Sequence, residues 1–148
     1  MNRFPPLDIF RESGSRHFFP DRSGMETLEA AITTPIAILM MLASINLGLL
    51  VYGQQAVEAA ARHGARMGSV AQQAPGAVAS GAARSAIASA RLVQNPSVTI
   101  LSPGGAAGSL LRVRVSAEIP NFLGKLVPGL PNPLTCSAES VFRQEGWD

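Results

Sequence analysis

The sequence predicts an α+β protein, with a long N-terminal transmembrane α-helix that continues into a small periplasmic head of a second helix and about three antiparallel strands. Three observations support this fold class. Ala30 to Val57 carries no charged side chain, the segment after Pro75 is rich in Ala, Ser and Gly, and the C-terminal third alternates apolar and polar residues. Helices first and strands last are typical of an α+β arrangement.

The first residues form a polar leader, which we expect to end at Gly24. Arginine and acidic residues alternate there with prolines, and neither helical nor strand periodicity is present. Four arginines precede the apolar stretch and two follow it closely, so the positive-inside rule predicts a cytoplasmic leader and a head on the other side of the membrane.

A single long helix is predicted for residues 25–70, because Ala, Leu, Ile and Met dominate this segment. At 1.5 Å per residue it would be about 70 Å long, more than twice the roughly 30 Å of the hydrocarbon core. We therefore expect a transmembrane span at about 30–53, with Tyr52, Gln54 and Gln55 at the interface.

The remaining residues, 71–148, are predicted to form the head. A second helix should begin at Pro75 and continue to Val93, before Asn95 and Pro96. Strands are expected at 97–102, 109–119 and in the run LTCSAESVFRQ, separated by a PGGAAG turn and a Pro-rich loop at 120–133. The predicted inward-facing side chains are Leu111, Val113, Val115, Ala117 and Ile119 on the second strand and Leu134, Cys136, Ala138, Ser140 and Phe142 on the third.

Composition excludes several classes of protein. Charged residues make up 15% of the chain and mean hydropathy is +0.20, whereas soluble domains carry about 25% charged residues. The 12 Lys and Arg residues are scattered, so no basic patch for nucleic acid is expected. His17 and His63 lie on opposite sides of the apolar segment, and no nucleophile, base and acid can be assembled, so we expect no metal, cofactor or enzymatic activity.

Glu29 stands at the threshold of the apolar stretch, five residues after Gly24. A carboxylate near hydrocarbon is costly unless a partner neutralises it. Cleavage after Gly24 would give Met25 a positive α-amino group. If subunits stack with a one-step offset, Glu29 of one would face the amine of the next. A cleaved secretory signal and a plain signal anchor are alternatives, although the apolar run is too long for the first and the second leaves both residues unexplained.

These residues give the chain a resemblance to the TadE-like minor pilins, or pseudopilins, of tight-adherence (Tad/Flp) type IV pilus systems. It rests on Gly24, Met25 and Glu29 as the prepilin-peptidase motif, on Pro35 six residues further on, on AAARHGARMG at 59–68, and on the Pro-rich tail at 119–146.

The resemblance implies a structural subunit that is processed by a prepilin peptidase and incorporated in, or priming, a pilus for surface adherence. The implied partners are the peptidase, other pilins, an inner-membrane assembly platform, its ATPase and membrane lipid. The implied location is the inner membrane, single-pass, or the pilus.

Three further features could contribute to assembly. Pro35 removes a backbone hydrogen bond and should kink or loosen the span, unless neighbouring Thr33 and Thr34 hydroxyls compensate. Asn46, deep in the span, could hydrogen-bond a neighbouring pilin or simply be tolerated. The loop at 120–133 is expected to fold onto the head, or to dock a partner through Phe122, Leu126 and Leu130.

The second function that the sequence allows is an uncleaved, signal-anchored periplasmic binding module that takes no part in a pilus. It would hold a ligand or protein through the 120–133 loop. The state of the N-terminus separates the two hypotheses, because only the pilin requires a mature chain that begins at Met25.

Overall fold

The structure, a computed structural model, describes residues 22–145. The elements are α1 (Arg22–Ser69), α2 (Pro75–Ala88), β1 (Gln94–Pro103), β2 (Leu110–Ile119), α3 (Phe122–Leu126) and β3 (Leu134–Arg143). The chain divides into two compact units, one ending at Ile36 and one beginning at Ala37. The predicted α+β class, with a long apolar helix, a second helix and three antiparallel strands, is confirmed.

Helix α1 begins three residues before the expected start at Met25 and ends one residue before Val70. From Gly24 to Ile45 the side chains are exposed except that of Leu42, which is half-buried. The helix ends where the Ser69 hydroxyl donates to the carbonyl of Arg66 at 2.8 Å. Arg66 lies in the last turn, where a positive charge is favourable beside the helix dipole.

The second half of α1 presents a stripe of small residues to the head. The buried positions recur at intervals of three and four, which defines one helix face; they are Asn46, Gly53, Val57, Ala60, Ala61, Gly64, Ala65, Gly68 and Ser69. A Cβ added at Gly64 would lie 2.7 Å from the carbonyl oxygen of Ala79 and 2.7 Å from the Cβ of Ala83, both in α2. Small side chains are therefore what allows α2 to approach so closely.

Helix α2 starts at Pro75 as predicted. Proline lacks a backbone N–H, and in the first helical turn an N–H would have no intrahelical acceptor. It ends at Ala88, five residues before the predicted end at Val93. The Ser89 hydroxyl donates to the carbonyl of Ala86 at 2.7 Å and closes the last turn. Pro96 does not stop the helix but lies in β1, an edge strand, where a missing N–H is tolerated at the irregularity between Gln94 and Ser97.

The three strands form one antiparallel sheet in the order β1-β2-β3. The predicted inner face of β2 is confirmed: Leu111, Val113, Val115, Ala117 and Ile119 are all buried. On β3, Cys136 and Ser140 are buried, and Phe142 pairs with Leu111 and so lies on the same face, although its side chain is 37% exposed near the end of the strand. Strand β1 is longer than predicted by three residues at its start and one at its end.

The sheet runs along α1 in a defined direction. A Cβ added at Gly53 would overlap Ile119, and one added at Gly68 would overlap Leu111, so the end of β2 lies beside the middle of α1 and its beginning beside the C-terminus of α1. The segment just after β3 is fixed there too, because the buried Gln144 side chain donates to the carbonyl of Ala71 at 2.9 Å. The PGGAAG turn joins β1 to β2 as predicted, with positive φ at Gly104, Gly105 and Gly108.

Candidate processing and assembly site

The predicted processing residues lie in the first turns of α1. Met25 is 75% exposed, and Gly24 and Glu29 are exposed as well. A Cβ added at Gly24 would meet no atom within 4 Å, and the φ of this glycine is not positive. The described residues therefore give no steric or backbone reason for glycine at position 24.

The bond between Gly24 and Met25 is helical in this structure, since α1 already begins at Arg22. The first N–H groups of a helix have no intrahelical acceptor, which makes its first turn the easiest to unwind. A peptidase that binds an extended substrate would have to open only this turn.

Glu29 is an exposed carboxylate without an ion-pair partner among residues 24–145, where the ion pairs involve Glu58 and Glu139 instead. Its main-chain carbonyl accepts a hydrogen bond from the Thr33 hydroxyl at 2.9 Å. Pro35 lies inside the helix and cannot donate to the carbonyl one turn earlier, that of Ala31. The Thr33 hydroxyl thus donates to the carbonyl of Glu29. It does not compensate the carbonyl of Ala31, which lacks its helical donor because of Pro35.

Asn46 is used within its own chain. Its side chain is 7% exposed, and Oδ1 accepts a hydrogen bond from the backbone N–H of Phe122 at 3.0 Å. Phe122 is the first residue of α3, and the preceding Asn121 makes no side-chain cap. Asn46 therefore satisfies a helix N–H from a distant element, and its Nδ2 is buried without a partner. Pairing with a neighbouring subunit stays a prediction, for which only Nδ2 is available.

The loop at 120–133 contains α3, which sequence periodicity did not predict. Asn121 is buried and its Nδ2 donates to the carbonyl of Pro131 at 2.7 Å, which closes the loop on itself. Phe122, Leu126 and Leu130 are 45%, 61% and 43% exposed. The loop contacts α1 through Asn46, which neither prediction named, and it presents the apolar side chains on which the docking prediction depends.

A cleft of about 270 Å³ lies between the loop and α1. Its walls are apolar except at two asparagines, and they include Asn46, Leu47, Leu50, Leu123, Leu130 and Pro131. Sequence analysis missed Leu47, Leu123 and Pro131 because no local pattern indicates that residues more than 70 positions apart share a cleft. The buried amide of Asn46 in an apolar segment was the one available signal.

Residues 46–53 of the predicted span contact the head. The Cys136 thiol lies 3.9 Å from the carbonyl of Leu50, and the Gln54 side chain donates to the carbonyl of Ser137 at 3.2 Å. Burial raises the pKa of the Cys136 thiol. One face of this part of α1 is thus covered by the chain's own strand, and the opposite face is exposed.

A second depression, of about 440 Å³, lies between α1 and α2, where Tyr52, Ala56, His63 and Ala90 contribute to its wall. Beside it, Arg62 bonds Glu58 one helical turn earlier. Such an exposed pair contributes only a few tenths of a kcal/mol. In the part of the chain that the structure describes, no three His, Cys, Asp or Glu side chains converge on a point that could hold a metal ion.

The helix from Gly24 to Ser69 is long and apolar enough to cross a membrane, and it fits a membrane anchor. Residues 24–66 match the family model of TadE-like proteins, so the resemblance is confirmed over this segment. Comparison with curated proteins and with solved structures gives no match.

Proposed function

We propose that this TadE-like chain is a minor pilin, or pseudopilin, that a prepilin peptidase cleaves after Gly24 and that then takes part in, or primes, assembly of a Tad-type pilus for surface adherence. The observation that carries the proposal is the position of the family match, which starts at residue 24, the glycine proposed for cleavage. The free space around Gly24 supports it, since no contact within residues 22–145 accounts for glycine there.

The proposed topology follows from the charges around the span. The leader lies in the cytoplasm, where the peptidase acts, and the head lies in the periplasm or outside the cell. The precursor is a single-pass protein of the inner membrane. Other pilins, an assembly platform and an ATPase are its proposed partners, because a helix must be extracted from lipid before it can join a fibre.

Glu29 is proposed to set the register between subunits. Its exposed carboxylate has no ion-pair partner among residues 24–145, and cleavage supplies an α-amino group one helical turn away in sequence. In an apolar surrounding, this amine on a neighbouring subunit would offset the cost of the carboxylate.

Cleavage is tested by the mass and N-terminal sequence of the chain extracted from membranes of cells that contain the peptidase. We expect the wild type to begin at Met25 and Gly24→Leu to keep its leader. Gly81→Leu is the matched control, because a Cβ at this glycine of α2 also meets no atom within 4 Å. An intact leader in the wild type would favour the anchored binding module, and normal cleavage of Gly24→Leu would contradict the processing site.

The register function is tested by Glu29→Gln, compared with Glu26→Gln, the other exposed acid in the first turns of the helix. Both variants should be cleaved, because the scissile bond is unchanged. We expect only Glu29→Gln to lower recovery of the subunit in sheared pili, by about tenfold if the pair contributes about 1.4 kcal/mol. Equal recovery of the two variants would remove the register function and leave the processing site standing.

A further inference from the structure

The cleft between α1 and the 120–133 loop contains one donor without an acceptor. The Asn46 amide has only one possible orientation, since Oδ1 must accept the N–H of Phe122 at 3.0 Å. Nδ2 therefore carries the two N–H groups, and it is buried without a partner in a side chain that is 7% exposed. Leaving a buried donor without an acceptor is unfavourable. The cleft thus favours an occupant that brings an acceptor.

The walls of the cleft favour an apolar occupant. The cleft has a volume of about 270 Å³. Leu47 and Leu50 of α1 line one side, and the loop contributes Leu123, Leu130 and Pro131. An occupant that fits is a chain of methylene groups with a single carbonyl, placed at the amide.

The level of the cleft along α1 identifies the source of such a chain. The predicted span at about 30–53 ends one to two helical turns beyond Asn46 and Leu50, so the cleft lies in the part of the span nearest the boundary between the hydrocarbon core and the lipid headgroups. The loop beside it exposes Phe122 and Leu126 and carries one charge, Lys125, whose long side chain can reach the headgroups. In a glycerophospholipid the acyl ester carbonyl lies at this boundary.

We propose that the cleft binds one acyl chain of a glycerophospholipid from the outer leaflet, with the ester carbonyl accepting a hydrogen bond from Nδ2 of Asn46. The exposed side chains of α3 lie in the same leaflet beside the bound lipid. The proposal rests on the membrane-anchored topology of the proposed function but not on cleavage after Gly24.

The experiment measures lipid retained by the full chain. The protein is reconstituted with phosphatidylglycerol, extracted in mild detergent and analysed by native mass spectrometry while the detergent concentration is raised. We expect the wild type to retain one lipid. Leu130→Trp fills the cleft and should lower occupancy at least fivefold, whereas Leu126→Trp, on the same loop but outside the cleft, should leave it unchanged. Circular dichroism of each variant establishes that it is folded.

The hydrogen bond is tested with a dialkyl ether phosphatidylglycerol of the same chain length, which lacks the ester carbonyls. One neutral hydrogen bond contributes about 1 kcal/mol, so occupancy by the ether lipid should be about fivefold lower in the wild type. Asn46→Leu should bind the two lipids equally. Equal retention of both lipids by the wild type would overturn the role of Asn46.

Retention of lipid by Leu130→Trp at the wild-type level, or no retained lipid in the wild type, would overturn the site. A lipid-free dimer that Leu130→Trp dissociates would instead assign the cleft to a second copy of the chain. A chain with a Met25 terminus that retains no lipid contradicts only this inference. A chain absent from the membrane fraction contradicts the proposed topology itself.

Discussion

Residues 24–45 and residues 46–69 of α1 are both helical and both rich in apolar side chains, yet the two segments have different surroundings. The first carries large aliphatic side chains on all sides, and all of them except Leu42 are exposed. The second places alanines and glycines on one buried face, against α2 and the sheet. Large exposed side chains fit an environment of lipid or of other helices. The small buried ones instead pack against elements of the same chain. The surroundings of the helix therefore change near Asn46.

The largest expected difference between the two segments comes from one substitution made in both. Ala61 is fully buried and Ala43 is exposed. Ala61→Leu forces three extra carbon atoms into a packed interface, so we expect a loss of about 3 kcal/mol. In a head of this size, that lowers the midpoint of thermal unfolding in detergent by about 12 °C or more.

Ala43→Leu is the matched control and should change stability by less than about 0.5 kcal/mol. Equal midpoints for the two variants would show that the small-residue face does not hold the head.

Shortening a side chain at a buried and at an exposed position of α1 should have a smaller effect. Val57 is fully buried and Val51 is 48% exposed. Val57→Ala removes two carbon atoms from the core and leaves a cavity, which costs about 2 kcal/mol. Val51→Ala should cost less than about 0.5 kcal/mol in the same unfolding experiment, and a similar loss for both would contradict the one-sided burial of this segment.

Asn46 marks the border between the segments, and its replacement should have a moderate effect. Asn46→Leu leaves the N–H of Phe122 without an acceptor but also removes the unpaired Nδ2, so we expect a net loss of about 1 kcal/mol in lipid-free detergent. Ser44→Ala, which removes a hydroxyl that bonds within its own helix, should be close to neutral. The pair is compared by thermal unfolding, and faster proteolysis of the 120–133 loop in Asn46→Leu would locate the loss.

The smallest effect concerns pH. Burial raises the pKa of the Cys136 thiol above the ordinary 9.0 of a cysteine. As pH rises above about 9.0, the unfolded chain loses this proton while the folded chain keeps it, so the free energy of unfolding falls, by at most about 1.4 kcal/mol per pH unit. Below pH 9.0 the contribution is complete. Cys136→Ala should remove this part of the alkaline slope, and parallel slopes in the two proteins would contradict it.

Features that depend on a local sequence pattern could be predicted from the sequence, whereas features that depend on distant parts of the chain could not. The period-2 alternation of β2 identified all five buried residues correctly, because side-chain direction in a strand is local. The apolar segment and the spacing between Gly24 and Glu29 could likewise be recognised from the sequence alone. The α2 boundary was misplaced because a short turn closed by Ser89 ended the helix before any Pro did.

The sequence by itself determined the type of each main element, the inner face of β2 and the position of the TadE-like segment. Only the tertiary structure decided that Asn46 serves the N–H of a residue 76 positions away, that α3 exists, and that a cleft lies between them. The physical reason is that periodicity reports which side of an element is apolar, whereas the partner of that side depends on contacts between distant parts of the chain.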